Sequence, residues 1–237
     1  ARSVANELKK LKDSQGGRLR GLIVDLRGNP GGLLKQSVKV ADLLLTHGHI
    51  VSTRGRHPDS LHHYEAGGRD LADGLPTAVL VDGKSASASE IAAALQDRDR
   101  AVLVGTSSYG KGTVQTVIRL PNDGEVTLTW SRLVAPSGYT LHGLGVRPVV
   151  CTSGASPTAP DFVRKAVAGG PQARDVFASW RTAGYDDKAG RASLRETCKP
   201  ERRTGDGEVR VARQLLADQA LYAQALDITA GASQAQK

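Results

Sequence analysis

The stretch that most constrains this chain is Gly21-Leu22-Ile23-Val24-Asp25-Leu26, followed at once by Arg27-Gly28-Asn29-Pro30-Gly31-Gly32. A short, almost wholly apolar run suits a strand buried on both faces. The glycine-rich hexapeptide forces a tight turn. From Leu33 to Leu45 the apolar period becomes helical, with Val38, Ala41 and Leu45 on one side. Strand, turn and helix make most of a βαβ unit.

The same alternation recurs downstream. Thr77–Val81 and Ala101–Val104 read as further apolar strands, with a helix over Ile91–Gln96 between them. His49–Thr53 with Leu61–Glu65 reads as a strand pair. So does Thr113–Leu120 with Glu125–Leu133, closed by Pro121-Asn122-Asp123-Gly124. Val4, Leu8 and Leu11 place an amphipathic helix over the first dozen residues. Strands alternating with helices define an α/β chain. Beyond Cys151 the composition shifts. Ser153–Pro160 reads as a linker, Phe162–Val167 and Val176–Trp180 as short helices, and Thr197–Gly207 as a charged loop. Val209, Ala212, Leu216 and Leu226 suggest a last amphipathic helix, after which Ala232–Lys237 should fray. The expected division is a core over 1–150 and a linker with a helical region over 151–237.

Charge and composition narrow the function classes. The 237 residues carry 32 basic and 24 acidic side chains, a net charge of +8. The basic residues are scattered and aromatics are only 4% of the chain, so neither a phosphate-binding patch nor a base-stacking platform is evident. Nucleic acid is not an expected partner, and the excess charge reads as a solvated surface. No apolar run approaches the roughly 18 residues that would span a bilayer. The sequence starts at Ala1 and contains no methionine, so the natural protein is expected to begin upstream. Cys151 and Cys198 are too few and too far apart for a zinc site by spacing, and leave a disulfide and two free thiols equally open.

Three segments hold residues suited to chemistry. The turn Arg27–Gly32 lies at the carboxyl end of a strand, where ligands of open α/β sheets bind, and its adjacent glycines leave backbone amides able to donate. A turn that merely requires glycine would look the same. Ser85-Ala86-Ser87-Ala88-Ser89-Glu90 sets a serine at a helix start, near the positive end of the helix dipole. Ser87-x-x-Glu90 also fits a capping box. Tyr109-Gly110-Lys111-Gly112 flanks a lysine with glycines that let it point into a cleft. A phosphate-binding loop needs a hydroxyl residue after the lysine, where Gly112 stands. The histidines His47, His49, His57, His62, His63 and His142 lie in no nucleophile-elbow context, and adjacent His62 and His63 should face opposite sides of a strand. No metal or cofactor is expected.

Taken in order, Gly-Leu-Ile-Val-Asp-Leu-Arg-Gly-Asn-Pro-Gly-Gly at 21–32, Ser-Ala-Ser-Ala-Ser-Glu at 85–90 and Gly-Lys-Gly-Thr-Val-Gln at 110–115 closely resemble the carboxyl-terminal processing peptidases, or tail-specific proteases. Gly-Leu-Gly-Val-Arg-Pro at 143–148 is similar to the family's following segment, so the resemblance covers about residues 1–150. It implies a crotonase/ClpP-like βαβ protease core, N-terminally truncated and lacking the PDZ domain that captures apolar substrate tails, with a mostly helical C-terminal tail. It also implies a serine endopeptidase with Ser87 as nucleophile, Lys111 as general base and Gln115 orienting the lysine. The amides of Ala88 and of the Gly31-Gly32 turn would form the oxyanion hole. Family members are typically exported in bacteria, which implies the cell envelope and a Cys151–Cys198 disulfide that ties the tail to the core. Oligomers are possible. Between Ser87 and Lys111 the chain is one residue shorter than the family pattern, with the loss in Ile91–Ala94.

The implied chemistry makes demands on the fold. A free lysine has a pKa near ~10.4, so a lysine base is expected to be buried without a carboxylate partner. Lys111 and Gln115 would lie ~13 Å apart in a regular strand, so the backbone should bend, at Gly112 for instance. A non-catalytic peptide-binding module on the same fold is the rival reading, and nucleotide binding through Gly110-Lys111 is a third.

Overall fold

The computed structural model describes residues 1–16, 18–86, 89–155, 157 and 161–233, with the side chains of 89–90 and 231–233 left aside. Its centre is a parallel sheet of β1 (Leu22–Asp25), β4 (Thr77–Val81), β5 (Val102–Gly105) and β8 (Val150–Cys151), in the order β1-β4-β5-β8. Every residue of β4 is buried, as a strand covered on both faces requires. Its side chains alternate between two apolar layers. Val79 and Val81 join Leu103 in a layer with Ala41, Leu44 and Ala92–Leu95 from α2 (Leu34–Asp42), the turn after it, and α3 (Ser89–Asp97). Ala78 and Leu80 join Val102 and Val104 in a second layer against the C-terminal helices. β1 departs from expectation. It is an edge strand, and its residues are only partly buried or exposed.

The second sheet is antiparallel, in the order β3-β2-β7-β6. It joins β2 (Gly48–Arg54), β3 (His62–Ala66), β6 (Thr113–Arg119) and β7 (Glu125–Val134). Both expected strand pairs form. The β6–β7 hairpin stands out from the core, with Val117, Ile118, Leu128 and Trp130 exposed.

The C-terminal region holds α4 (Phe162–Ala168), α5 (Gly170–Thr182), α6 (Lys188–Glu196), α7 (Gly207–Ala217) and α8 (Gln219–Ser233). The single last helix read from the sequence is two, broken at Asp218, whose extended backbone ends α7. α6 escaped the sequence reading because its stripe is sparse, and its most buried side chain is Arg191. α7 packs beneath β4 and β5 through Val211, Ala212 and Leu215. α1 (Arg2–Ser14) buries Leu8 but leaves Val4 and Leu11 largely exposed. Cys151 and Cys198 form the implied disulfide.

Candidate active site

Because β1, β4 and β5 run parallel, the loops that follow them emerge at one end of the sheet. Those loops are the three chemical segments. Ala86 N donates to Asn29 O (3.0 Å), joining the second loop to the glycine turn. Tyr109 N donates to Ser85 O (2.9 Å), joining the third loop to the second. Ser85 Oγ, fully buried, donates to Leu26 O (2.8 Å) and accepts from Asp82 N (3.0 Å). Segments about sixty and eighty residues from the glycine turn are therefore hydrogen-bonded into one surface.

Within the turn, Gly31 adopts φ +96°, a conformation that strains any side chain. Its amide donates to Asn29 Oδ1 (2.8 Å) in a local turn. Of the two glycines expected to donate to an oxyanion, Gly31 is thus already committed. Gly32, also exposed, has no partner for its amide among the described residues. Ser87 and Ala88, expected as nucleophile and oxyanion donor, lie outside the described residues, as does the capping geometry at Glu90. The backbone resumes as α3 at Ser89. Ile91–Leu95 of α3 are all buried, so the helix with the one-residue shortening seats its apolar face in the core.

The third loop is held by close backbone approach. Thr106, Ser107 and Ser108 are fully buried. Ser108 N donates to Val146 O (3.1 Å), Gly143 N to Gly110 O (2.8 Å) and Leu133 N to Gly112 O (2.8 Å). A Cβ at Gly112 would collide with the His142 amide, which is why glycine follows the lysine. Among the described residues the Ser107 hydroxyl is buried without a hydrogen-bond partner. The expected burial of Lys111 is not found. Its side chain is exposed at the start of β6, and so is Gln115. The reason is local: the hairpin that continues from Lys111 is itself uncovered. The expected break in the strand does occur, as a register shift between Val114 and Gln115 rather than at Gly112. Exposed Leu33 and Tyr109 flank the loops as an apolar rim.

The sequence reading missed the groups beneath these loops. Asp82 is fully buried at the end of β4 and accepts from the amides of Gly28 (2.9 Å), Lys84 (3.0 Å) and Ser85 (3.0 Å). Arg27 pairs with Asp25 (2.7 Å) and with buried Glu208 (3.1 Å). Burial alone would raise the Asp25 carboxyl, but the Arg27 guanidinium and amide hold it below its ordinary value. Arg195 donates to Ser108 O (3.1 Å) and also reaches Leu144 O, and Arg191 reaches the carbonyls of Thr140 and His142. Burial lowers the pKa of both arginines. The one available signal was the charge density of 191–208, which reads equally well as a solvated loop.

His142 is half-buried against the lysine loop, its Nδ1 without a hydrogen-bond partner among the described residues, whereas His47, His57, His62 and His63 are exposed. His49 and His63 stack with ring centroids 4.1 Å apart on the β2–β3 pair. Among the described residues, no cluster of three or more histidine, cysteine, aspartate or glutamate side chains could hold a metal ion.

Residues 1–151 match the sequence profile of peptidase family S41. The carboxy-terminal-processing protease of Bartonella bacilliformis is 49% identical over 132 residues, 55% of this chain and 30% of that protein. The carboxyl-terminal-processing protease of a Synechocystis strain is 39% identical over 148 residues, 62% of this chain and 34% of that protein. Among solved structures, a photosystem II D1 C-terminal processing protease superposes with a TM-score of 0.56 at 29% identity, covering 62% of this chain and 38% of that one. The chain thus spans about a third of the length of these relatives. A match over more than half its length, carrying the ordered motifs on three adjoining loops, makes the chain a member of peptidase family S41.

Proposed function

We propose that the chain carries the catalytic core of a serine endopeptidase that hydrolyses peptide bonds near protein C-termini through Ser87 and Lys111, with residues 1–150 supplying the chemistry and 151–237 a helical support. The observation that carries this reading is the hydrogen-bonded convergence of the three loops: Ala86 N on Asn29 O and Tyr109 N on Ser85 O. Ser87 follows directly on this junction. The Ser85 hydroxyl is buried and bonded to Leu26 O, which supports Ser87 over Ser85 as the nucleophile.

In this mechanism Lys111 Nζ, in its deprotonated form, takes the proton from Ser87 Oγ, which attacks the substrate carbonyl. The developing oxyanion accepts from the Gly32 amide and the Ala88 amide. The protonated lysine returns its proton to the leaving amine, and water then cleaves the acyl-enzyme with Lys111 again as base. Gln115 orients the lysine from β6. Exposed Leu33 and Tyr109 support an apolar substrate tail as the preferred ligand. Lys111 is exposed, so it becomes desolvated only when substrate or further chain covers the hairpin. The Cys151–Cys198 disulfide supports an oxidising location such as the bacterial cell envelope.

The test is cleavage of a fluorogenic peptide with an apolar C-terminus by the full-length protein. Ser87→Ala and Lys111→Arg should both be inactive, the latter because guanidinium does not deprotonate in proteins. The exposure of Lys111 favours one rival, a non-catalytic peptide-binding module. That reading gains if the wild type binds the peptide without turnover, and cleavage by Ser87→Ala would remove Ser87 as the nucleophile.

A further inference from the structure

The segment after the disulfide crosses directly behind the site. Glu201 O accepts from Gly83 N (2.8 Å) and from Thr106 Oγ1 (2.9 Å), and Glu201 N donates back to Thr106 Oγ1 (3.1 Å). Arg203 N donates to Asp82 Oδ2 (3.1 Å), while its guanidinium reaches the carbonyls of Thr152 and Ala155. Arg27, at the root of the glycine turn, donates to Gly205 O (2.9 Å). Glu208 lies just beyond, 3% exposed, with one oxygen on Arg27 (3.1 Å) and the other on Arg203 (3.1 Å).

We propose that residues 199–208 form a strap that sets the relative position of the glycine turn and the serine loop, with Asp82 and Glu208 as its positioning residues. This rests on the reading of Ser87 as nucleophile. Asp82 Oδ1 gathers the amides of Gly28, Lys84 and Ser85, one from the glycine turn and two from the serine loop. Its other oxygen is given to the strap. No cationic side chain pairs with Asp82 among the described residues; the buried group is satisfied by backbone amides and by the Ser85 hydroxyl, which donates to Oδ1 at 3.2 Å. Such a node fixes backbone positions, because four of its donors are main-chain amides, drawn from the glycine turn, the serine loop and the strap. Glu208 does the same by charge, locking the strap's Arg203 to the turn's Arg27. The strap lies beyond the family match, which ends at residue 151. Residues outside that match thus hold residues inside it.

The role predicts a specific kinetic signature. A positional error of about 1 Å between nucleophile and oxyanion donors can cost on the order of 100-fold in rate while leaving the peptide groove intact. In the full-length protein, Asp82→Asn and Glu208→Gln should lower kcat at least tenfold with KM little changed. Exchange of backbone amides in peptides spanning 26–33 and 82–86, followed by mass spectrometry, should quicken in both. Tyr222→Phe is the control. Tyr222 bonds Thr77 N and O at the opposite end of β4, so its loss should lower the melting temperature without lowering kcat below it. Should Asp82→Asn fail to fold, Glu208→Gln carries the test, since it preserves shape and removes only the charge. Wild-type kcat in folded Glu208→Gln, or kcat losses no larger than those of Tyr222→Phe, would overturn the strap. Ser87→Ala assayed in parallel separates the two ideas. Cleavage by that variant sinks the nucleophile and the strap together, whereas an inactive Ser87→Ala beside a fully active Glu208→Gln sinks the strap alone.

Discussion

Opening the Cys151–Cys198 bond should cost this chain a large part of its stability. The bond closes a loop of 47 residues that contains α4, α5 and α6. In the chain-entropy model the unfolded chain regains about 13.6 cal/mol/K when that loop opens, or about 4 kcal/mol at 25 °C. Against a typical net stability of roughly 5–15 kcal/mol, that is a decisive share. The experiment compares the oxidised protein with the same protein reduced by a phosphine, each unfolded in urea and followed by far-ultraviolet circular dichroism. With a urea slope near ~3 kcal/mol/M, the midpoint should fall by about 1.3 M on reduction. The strap begins at residue 199, next to the bonded Cys198, so cleavage should weaken with it under conditions where the protein remains folded. A midpoint shift below ~0.3 M would refute the loop-entropy reasoning at this slope. Two alkylatable thiols in the native protein would remove its premise.

Gly112→Ala should abolish peptide cleavage and lower the melting temperature, because the added methyl meets the backbone of His142; a differential scanning trace beside a turnover assay checks both. Arg181 and Asp97 form a buried ion pair at 2.8 Å, and Arg181→Met should destabilise the protein by about 3–5 kcal/mol in urea titration, since Asp97 is left buried without its cation. Burial and the neighbouring His63 hold the His49 pKa below its ordinary value, and burial with Arg132 and Arg191 does the same for His142. The unfolded chain therefore binds more protons just below pH ~6.5, so their contribution is present above that pH and lost as pH falls through the lowered folded values. Urea midpoints measured from pH 7.5 to 5 should decline, with a shallower slope in His49→Phe.

The parts of the fold legible in the sequence were those where one physical rule acts over a short span. Thr77–Val81 is apolar throughout because both its faces are covered, and that pattern can be read without knowing what covers it. The β6–β7 hairpin announces itself through its turn. α6 and the α7–α8 break could not be read in this way. α6 is seated by Arg191 and Arg195, whose guanidinium groups satisfy carbonyls of the 140–145 and 108 segments. An arginine buried against backbone looks, in sequence, like an arginine in water. The same holds for Asp82 and Glu208, since nothing in Val-Asp-Gly-Lys or Gly-Glu-Val marks a buried carboxyl that joins remote loops.

The environment of Lys111 shows why a residue's role and its surroundings become legible at different stages. Its flanking glycines are a local matter: Gly110 adopts φ +85°, and Gly112 must lie flat against the 141–142 backbone. Those demands fall on the residues themselves and are visible in the sequence. Whether the lysine is dry depends instead on what lies over the hairpin, and no residue of the hairpin encodes that. Among the described residues nothing covers the hairpin, and Ile118, Leu128 and Trp130 are exposed further along the two strands. By their register Ile118 and Leu128 share one face of the hairpin, so a single layer laid against it would cover both. If that layer also reaches the start of β6, it would change the solvent around Lys111 as well. Exposure of the lysine is therefore a property of the uncovered hairpin, not of the loop that carries it. Substituting within the loop should alter where Lys111 points, whereas only covering the hairpin can alter how wet it is.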